Sequence, residues 1–92
     1  MKRIFKYVLV PTDYQIVKLP TGSRILSAES QMDDIVLYAL IEDSQTYMDN
    51  VEIVVKGTGH DANDLKNFTF LNTVKLRDGL LMFHVFCDRL DV

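Results

Sequence analysis

The stretch Phe70-Leu71-Asn72-Thr73-Val74-Lys75-Leu76-Arg77-Asp78-Gly79-Leu80-Leu81-Met82-Phe83-His84-Val85-Phe86-Cys87-Asp88 decides the fold class. Two apolar runs, Phe70 to Arg77 and Leu80 to Asp88, flank Asp78-Gly79. That dipeptide favours a tight hairpin turn, because both central positions of such a turn need positive φ. A terminal β-hairpin is therefore expected. Upstream, Val51, Ile53 and Val55 alternate with Glu52 and Lys56, the period of a half-buried strand over Asn50 to Lys56, with Val54 interrupting the polar face.

The same reading extends to the N-terminus. Arg3 to Val10 is short, aromatic and aliphatic, and stops at Pro11; Gln15 to Leu19 stops at Pro20, whose missing N–H cannot feed a ladder. Ile25 to Ser30 and Asp34 to Ile41 make a hairpin across the polar residues Gln31 to Asp33. Asp61 to Lys66 offers an aspartate N-cap and one short helical turn. Glu42 to Asn50 has no period and is expected as a loop or brief helix. Six or seven short strands and almost no helix predict a mainly β fold, a small antiparallel sandwich or barrel-like domain with at most one short helix; an α+β arrangement is the alternative.

At 92 residues, without internal repeats or a Gly/Ser linker, the chain is expected to be a single domain over 1–92. Its 48% hydrophobic and 25% charged residues are those of a globular protein. Two strands, Ile35 to Ile41 and Leu80 to Phe86, are apolar on both faces, where a surface strand of a two-layer domain alternates. Something must cover their second face. The expectation is a homo-oligomer, against a closed barrel or a flanking loop that hides both faces internally.

Charge is unevenly distributed. Residues 1–24 carry +4, residues 25–55 carry −7 with no Lys or Arg, and the remainder balances, giving a net −3. An acidic middle third argues against nucleic acid, whose phosphates need clustered Lys and Arg. It suits a basic partner surface, with Glu42, Asp43 and Asp49 as the residues that would meet it. The plainer reading is that these acids keep hairpin ends and sheet edges soluble. The apolar run after the basic start is only Tyr7 to Val10, too short for a signal sequence or a membrane span, so a cytoplasmic protein without membrane association is expected.

The segment Gly57-Thr58-Gly59-His60 is the candidate ligand site. Its glycines let a turn present successive N–H groups, while Thr58 and His60 add donors, a nest for an anion aided by the turn at Asp61. The plain alternative is a turn whose glycines serve backbone geometry alone. No nucleotide-binding fingerprint is present, because a third glycine, a Walker lysine and a long following helix are all missing.

No metal site is expected: Cys87 is the only cysteine, and on a strand it projects opposite to His84. Ser23, Ser27, Ser30 and Ser44 lack a nucleophile elbow, and a thiol inside an apolar strand is inert. No catalytic residue and no cofactor are expected.

Ile4-Phe5-Lys6-Tyr7, Thr12-Asp13-x-Gln15, Leu19-Pro20-x-Gly22, Ile25-Leu26-Ser27, Leu37-Tyr38-Ala39-Leu40, Gly57-Thr58-Gly59-His60 and Phe83-His84-Val85-Phe86 together resemble a family of short uncharacterised proteins of tailed phages and bacterial genomes. The likeness spans nearly the whole chain. Departures are Val10 before Pro11 and the absence of proline after His60. The resemblance implies a phage or prophage accessory protein acting in the host cytoplasm, and carries no catalytic residue with it. The leading expectation is thus a non-catalytic accessory protein that binds a host or phage protein. The alternative is a small oligomer sequestering an anionic signalling nucleotide at the Gly57–His60 loop.

Overall fold

The computed structural model describes residues 1–89. Among them are seven strands: β1 (Lys2–Leu9), β2 (Gln15–Pro20), β3 (Arg24–Gln31), β4 (Asp34–Glu42), β5 (Met48–Gly57), β6 (Thr69–Leu76) and β7 (Leu81–Cys87). The regular helical content is two short 3-10 turns, Asn63–Leu65 and Arg77–Gly79. All strand pairings are antiparallel, in a three-stranded sheet of order β1-β4-β3 and a four-stranded sheet of order β2-β5-β7-β6. The expected mainly β sandwich is the observed fold.

Alternation along each strand builds the core. Ile35, Leu37, Ala39 and Ile41 of β4 turn inward with Leu9 and Ala28, and meet Val51, Ile53, Val55, Val74, Val85 and Cys87 of the other sheet. Burial of each larger aliphatic side chain stabilises the fold by roughly 1.5–3 kcal/mol before entropy. The closest tie between the sheets runs along one side. There β3 packs on β6, and each carries a bulge, around Leu26 and around Leu71. Asn72 beyond the second bulge donates from Nδ2 to the Ala28 carbonyl at 2.8 Å, while its Oδ1 accepts from Thr73 N–H at 2.9 Å.

The hairpin turns differ from expectation. Leu76 pairs with Leu81, so the terminal hairpin closes with four residues rather than on Asp78-Gly79, and Arg77, Asp78 and Gly79 all take positive φ. The two-residue turn with both φ positive occurs instead at Met32-Asp33, between Gln31 and Asp34. The two tips are linked, because Asp33 Oδ1 accepts from Arg77 N–H at 2.7 Å. That tertiary bond holds Arg77 in a left-handed conformation which local preference disfavours.

Two further points are local. The segment expected as a loop or brief helix is a loop over 43–47, with β4 taking Glu42 and β5 beginning at Met48. At the 3-10 turn the N-cap is Ala62, with Asp61 Oδ1 one place earlier accepting from Asn63 N–H at 2.9 Å.

The doubly apolar strands are covered unequally. On the second face of β7, Phe86 meets Phe70 edge-to-face at 5.5 Å, and the connection 58–65 lies beside His84 and Phe86. The flanking loop that was the alternative expectation covers part of that face, where Met82, His84 and Phe86 are half-buried. On β4, Val36 is buried but Tyr38 and Leu40 are only half-buried, beside exposed Ile4 and Val8 of β1. Among the described residues no helix is long and apolar enough to cross a membrane.

Candidate functional site

Two regions concentrate groups available for recognition. The first lies where β5 leaves its sheet. Because β7 separates β5 from β6, the chain must cross β7 to continue, and it does so through Thr58 to Phe68. This crossing creates a cleft of about 470 Å³ lined by Asp13, Lys56, His60, Asp61, Asn63 and Asp64. A neighbouring cleft of about 400 Å³ is lined by Gly57, Thr58, His60 and the hydrophobic residues Leu80 to Phe83.

Gly57, Thr58 and His60 line the second cleft and His60 the first as well, but several of their bonds are turned inward. Gly57 N–H donates to His60 Nδ1 at 3.3 Å, His60 N–H donates to the Gly57 carbonyl at 3.1 Å, and Thr58 N–H donates to the Met82 carbonyl at 3.4 Å. A Cβ at Gly57 would meet the His60 ring at 2.8 Å, so the ring packs against Gly57 only because this position has no side chain. Three of the main-chain donors that the expected anion nest would use, those of Gly57, Thr58 and His60, are thus engaged within the protein.

Lys56 was read from the sequence as a solvent-facing residue, yet it is only 6% exposed. Its Nζ lies 3.1 Å from one Asp64 oxygen and 3.7 Å from Asp13. The bond to Asp64 holds its pKa above the ordinary lysine value against the opposing effect of burial, with further support from the charges of Asp13, Asp64 and Asp61. One ammonium faces three carboxylates, so the cleft is net acidic and repels an anion. Beside it, the ring of His84 is spanned by Thr58 Oγ1 at Nε2 (2.8 Å) and Thr73 Oγ1 at Nδ1 (2.9 Å). Both nitrogens are thereby occupied.

This arrangement carries a prediction. Asp13→Asn together with Asp64→Asn leaves a nearly buried ammonium beside Asp61 alone and lowers stability at pH 7, whereas Lys56→Met, keeping the stem and removing the charge, is closer to neutral. A raised lysine pKa contributes stability that is complete below the unfolded value near 10.4 and is lost as pH rises through the higher folded value. Urea unfolding between pH 8 and 11 then shows wild type losing stability relative to Lys56→Met at the alkaline end. A stability difference between the two proteins that is the same at every pH would refute the ion pairing.

The predicted partner acids are held by two different sets of hydrogen bonds. Glu42 accepts from the Met1 amine and from Ser44 Oγ at 2.8 Å; Asp43 accepts from Arg3 Nε at 2.5 Å and from the Met1 amine at 3.0 Å. The Arg3 bond lowers the Asp43 pKa, and the amine bond lowers that of Glu42. Asp49 belongs to a separate set, with Thr21 Oγ1 at 2.9 Å and Arg89 Nη2 at 3.3 Å. Part of the charge asymmetry thus resolves within the molecule: the basic N-terminal strand pairs with the acidic end of β4.

The second region is β1 itself, which sequence reasoning treated as an ordinary strand. It lies at the end of its sheet and packs almost entirely on β4. Ile4 is 62% exposed, Phe5 44% and Val8 58%. Asp43 N–H donates to the Met1 carbonyl, which assigns the odd residues of β1 to the ladder with β4. By alternation Lys2, Ile4, Lys6 and Val8 point their N–H and C=O groups away from the sheet. Val10 continues that row, but there Gln15 intervenes: its Oε1 accepts from Val10 N–H at 3.0 Å and its Nε2 donates to the Val10 carbonyl at 2.5 Å. A side-chain amide stands in for a neighbouring strand at Val10, leaving four open residues.

A family model described as a domain of unknown function, DUF7352, matches residues 1–91. The chain belongs to this family. No curated protein and no solved structure matches it. The match takes in both regions, the open strand and the acidic cleft, within one domain of the DUF7352 family. Among the described residues no group of three or more His, Cys, Asp or Glu is placed to hold a metal ion.

Proposed function

We propose that this DUF7352 domain is a non-catalytic accessory protein, of the phage or prophage type that its sequence resembles, and that it works in the host cytoplasm by binding a protein through β1. The observation that supports the reading is the open row Lys2, Ile4, Lys6 and Val8, whose main-chain groups are unpaired by β4 while the side chains of Ile4, Phe5 and Val8 lie exposed around them. Such an edge accepts an added strand: main-chain bonds supply affinity, and side chains on alternate faces supply selectivity. An anionic ligand at Gly57–His60 has less support, since the loop uses its own donors and the adjoining cleft is acidic.

Photo-crosslinking tests this. With a benzophenone residue at Ile4 or Val8, irradiated cells carrying the protein in its native genetic context yield a discrete crosslinked protein product. The same residue at Asp61 yields none. Crosslinks confined to Asp61 would overturn the assignment of binding to β1.

A further inference from the structure

We infer that the strand added to β1 is β1 of a second copy, joined antiparallel about a two-fold axis through Phe5. The inference rests on the binding reading above and specifies its partner.

A two-fold axis perpendicular to the sheet keeps the faces of the two copies matched, so residues opposite one another are both even or both odd. The open residues are even, and the row ends where Gln15 occupies Val10. Only one register uses the whole row: Lys2 opposite Val8 of the second copy, Ile4 opposite Lys6, and the reciprocal pairs. All four open residues on each chain then exchange their N–H and C=O groups. The odd residues follow, with Phe5 against Phe5 across the axis and Arg3 against Tyr7, a guanidinium beside an aromatic ring.

Charge selects the same register. Lys2 and Lys6 protect the edge against any pairing that sets ammonium opposite ammonium. Moving the axis to Lys6 would do so, and would also place Lys2 against the already occupied Val10. In the Phe5 register each lysine faces an aliphatic residue, and Lys2 keeps Glu42 opposite it on β4. The product is a continuous six-stranded sheet in the order β3-β4-β1-β1-β4-β3, in which the exposed sides of Ile4, Phe5 and Val8 gain neighbours. A seam of seven residues is about 20 Å long. That is the small end of stable interfaces, so the mass is concentration-dependent.

Sedimentation equilibrium of the purified chain reads the first part: the mass approaches twice 10.6 kDa as concentration rises. Ile4→Pro and Lys6→Pro each remove an outward N–H while leaving the β4 ladder intact. Both are expected to return the mass to that of one chain with an unchanged β-sheet circular dichroism spectrum. Register is read by oxidation. Phe5→Cys forms an intermolecular disulfide, because directly opposed residues of a non-hydrogen-bonded pair stand about 4.5 Å apart at Cα. Lys6→Cys does not. Preferential linkage through Lys6→Cys overturns the register. A wild-type mass of one chain at every concentration overturns the second copy as partner, and if Ile4 crosslinks then capture a different protein, binding through β1 survives without it.

Discussion

Leu37→Ala lowers the unfolding free energy by about 2–5 kcal/mol, the range for truncating a fully buried leucine in a core that cannot collapse around the loss. Leu37 is 0% exposed and lies on β4, the central strand of its sheet, between Tyr7 on β1 and Ala28 on β3. Neither neighbour can readily fill the space: Ala28 has no longer side chain to swing in, and its strand is held by Asn72. For a domain of this size that is a large part of a total of roughly 5–15 kcal/mol. Urea unfolding with Leu80→Ala as control gives the contrast, since Leu80 is 82% exposed in its turn and its truncation stays within about 0.5 kcal/mol. Equal effects of the two substitutions would contradict the placement of β4 at the core.

The second large effect falls on a polar residue. Asn72→Ala removes the Nδ2 donor to the Ala28 carbonyl and the Oδ1 acceptor for Thr73 N–H. Ala28 is fully buried, so its carbonyl is left without a replacement from water, and the loss is about 2–3 kcal/mol. Asn72→Asp separates the two bonds. It keeps an acceptor for Thr73 but sets a carboxylate against a carbonyl, with Glu29 Oε2 close to the same nitrogen position at 3.5 Å. At pH 7 it destabilises at least as much as alanine. Hydrogen exchange of β3 and β6 amides adds a local readout, with protection falling on both strands together. An Asn72→Asp protein as stable as wild type would show that this bond does not join the sheets.

These two residues mark what was legible beforehand. Leu37 lies in an apolar run that announces a buried strand, and its burial needs no knowledge of the partner strands. Asn72 interrupts an apolar run and reads locally as a weak strand residue. Its importance comes from the bulge at Leu71, which turns it toward a carbonyl 44 residues away in sequence. Lys56 is the same lesson with a charge. Alternation with Val55 placed it on the solvent face, correctly, but the connection across β7 then covered that face and made it a nearly buried cation. Val54, which broke the polar pattern, is buried on that outer face for a related reason: it pairs with Phe86.

The candidate site divides in the same way. The glycines of Gly57–His60 were recognisable as a turn, but not that the His60 ring would close on Gly57 and accept its N–H. Nothing in Arg3 to Val10 distinguished an edge strand from a central one, since aromatic and aliphatic residues suit both.

The chain by itself determined the approximate spacing of its strands and their mainly β class, because period-two patterning and turn residues act over a few positions, where their physics is local. Strand order was decided only by the tertiary structure, and with it the open row on β1, the tie at Asn72 and the acidic cleft. Each depends on which distant segments pair and in what register, a choice made by the collective burial of two sheet faces, which no single stretch of residues encodes.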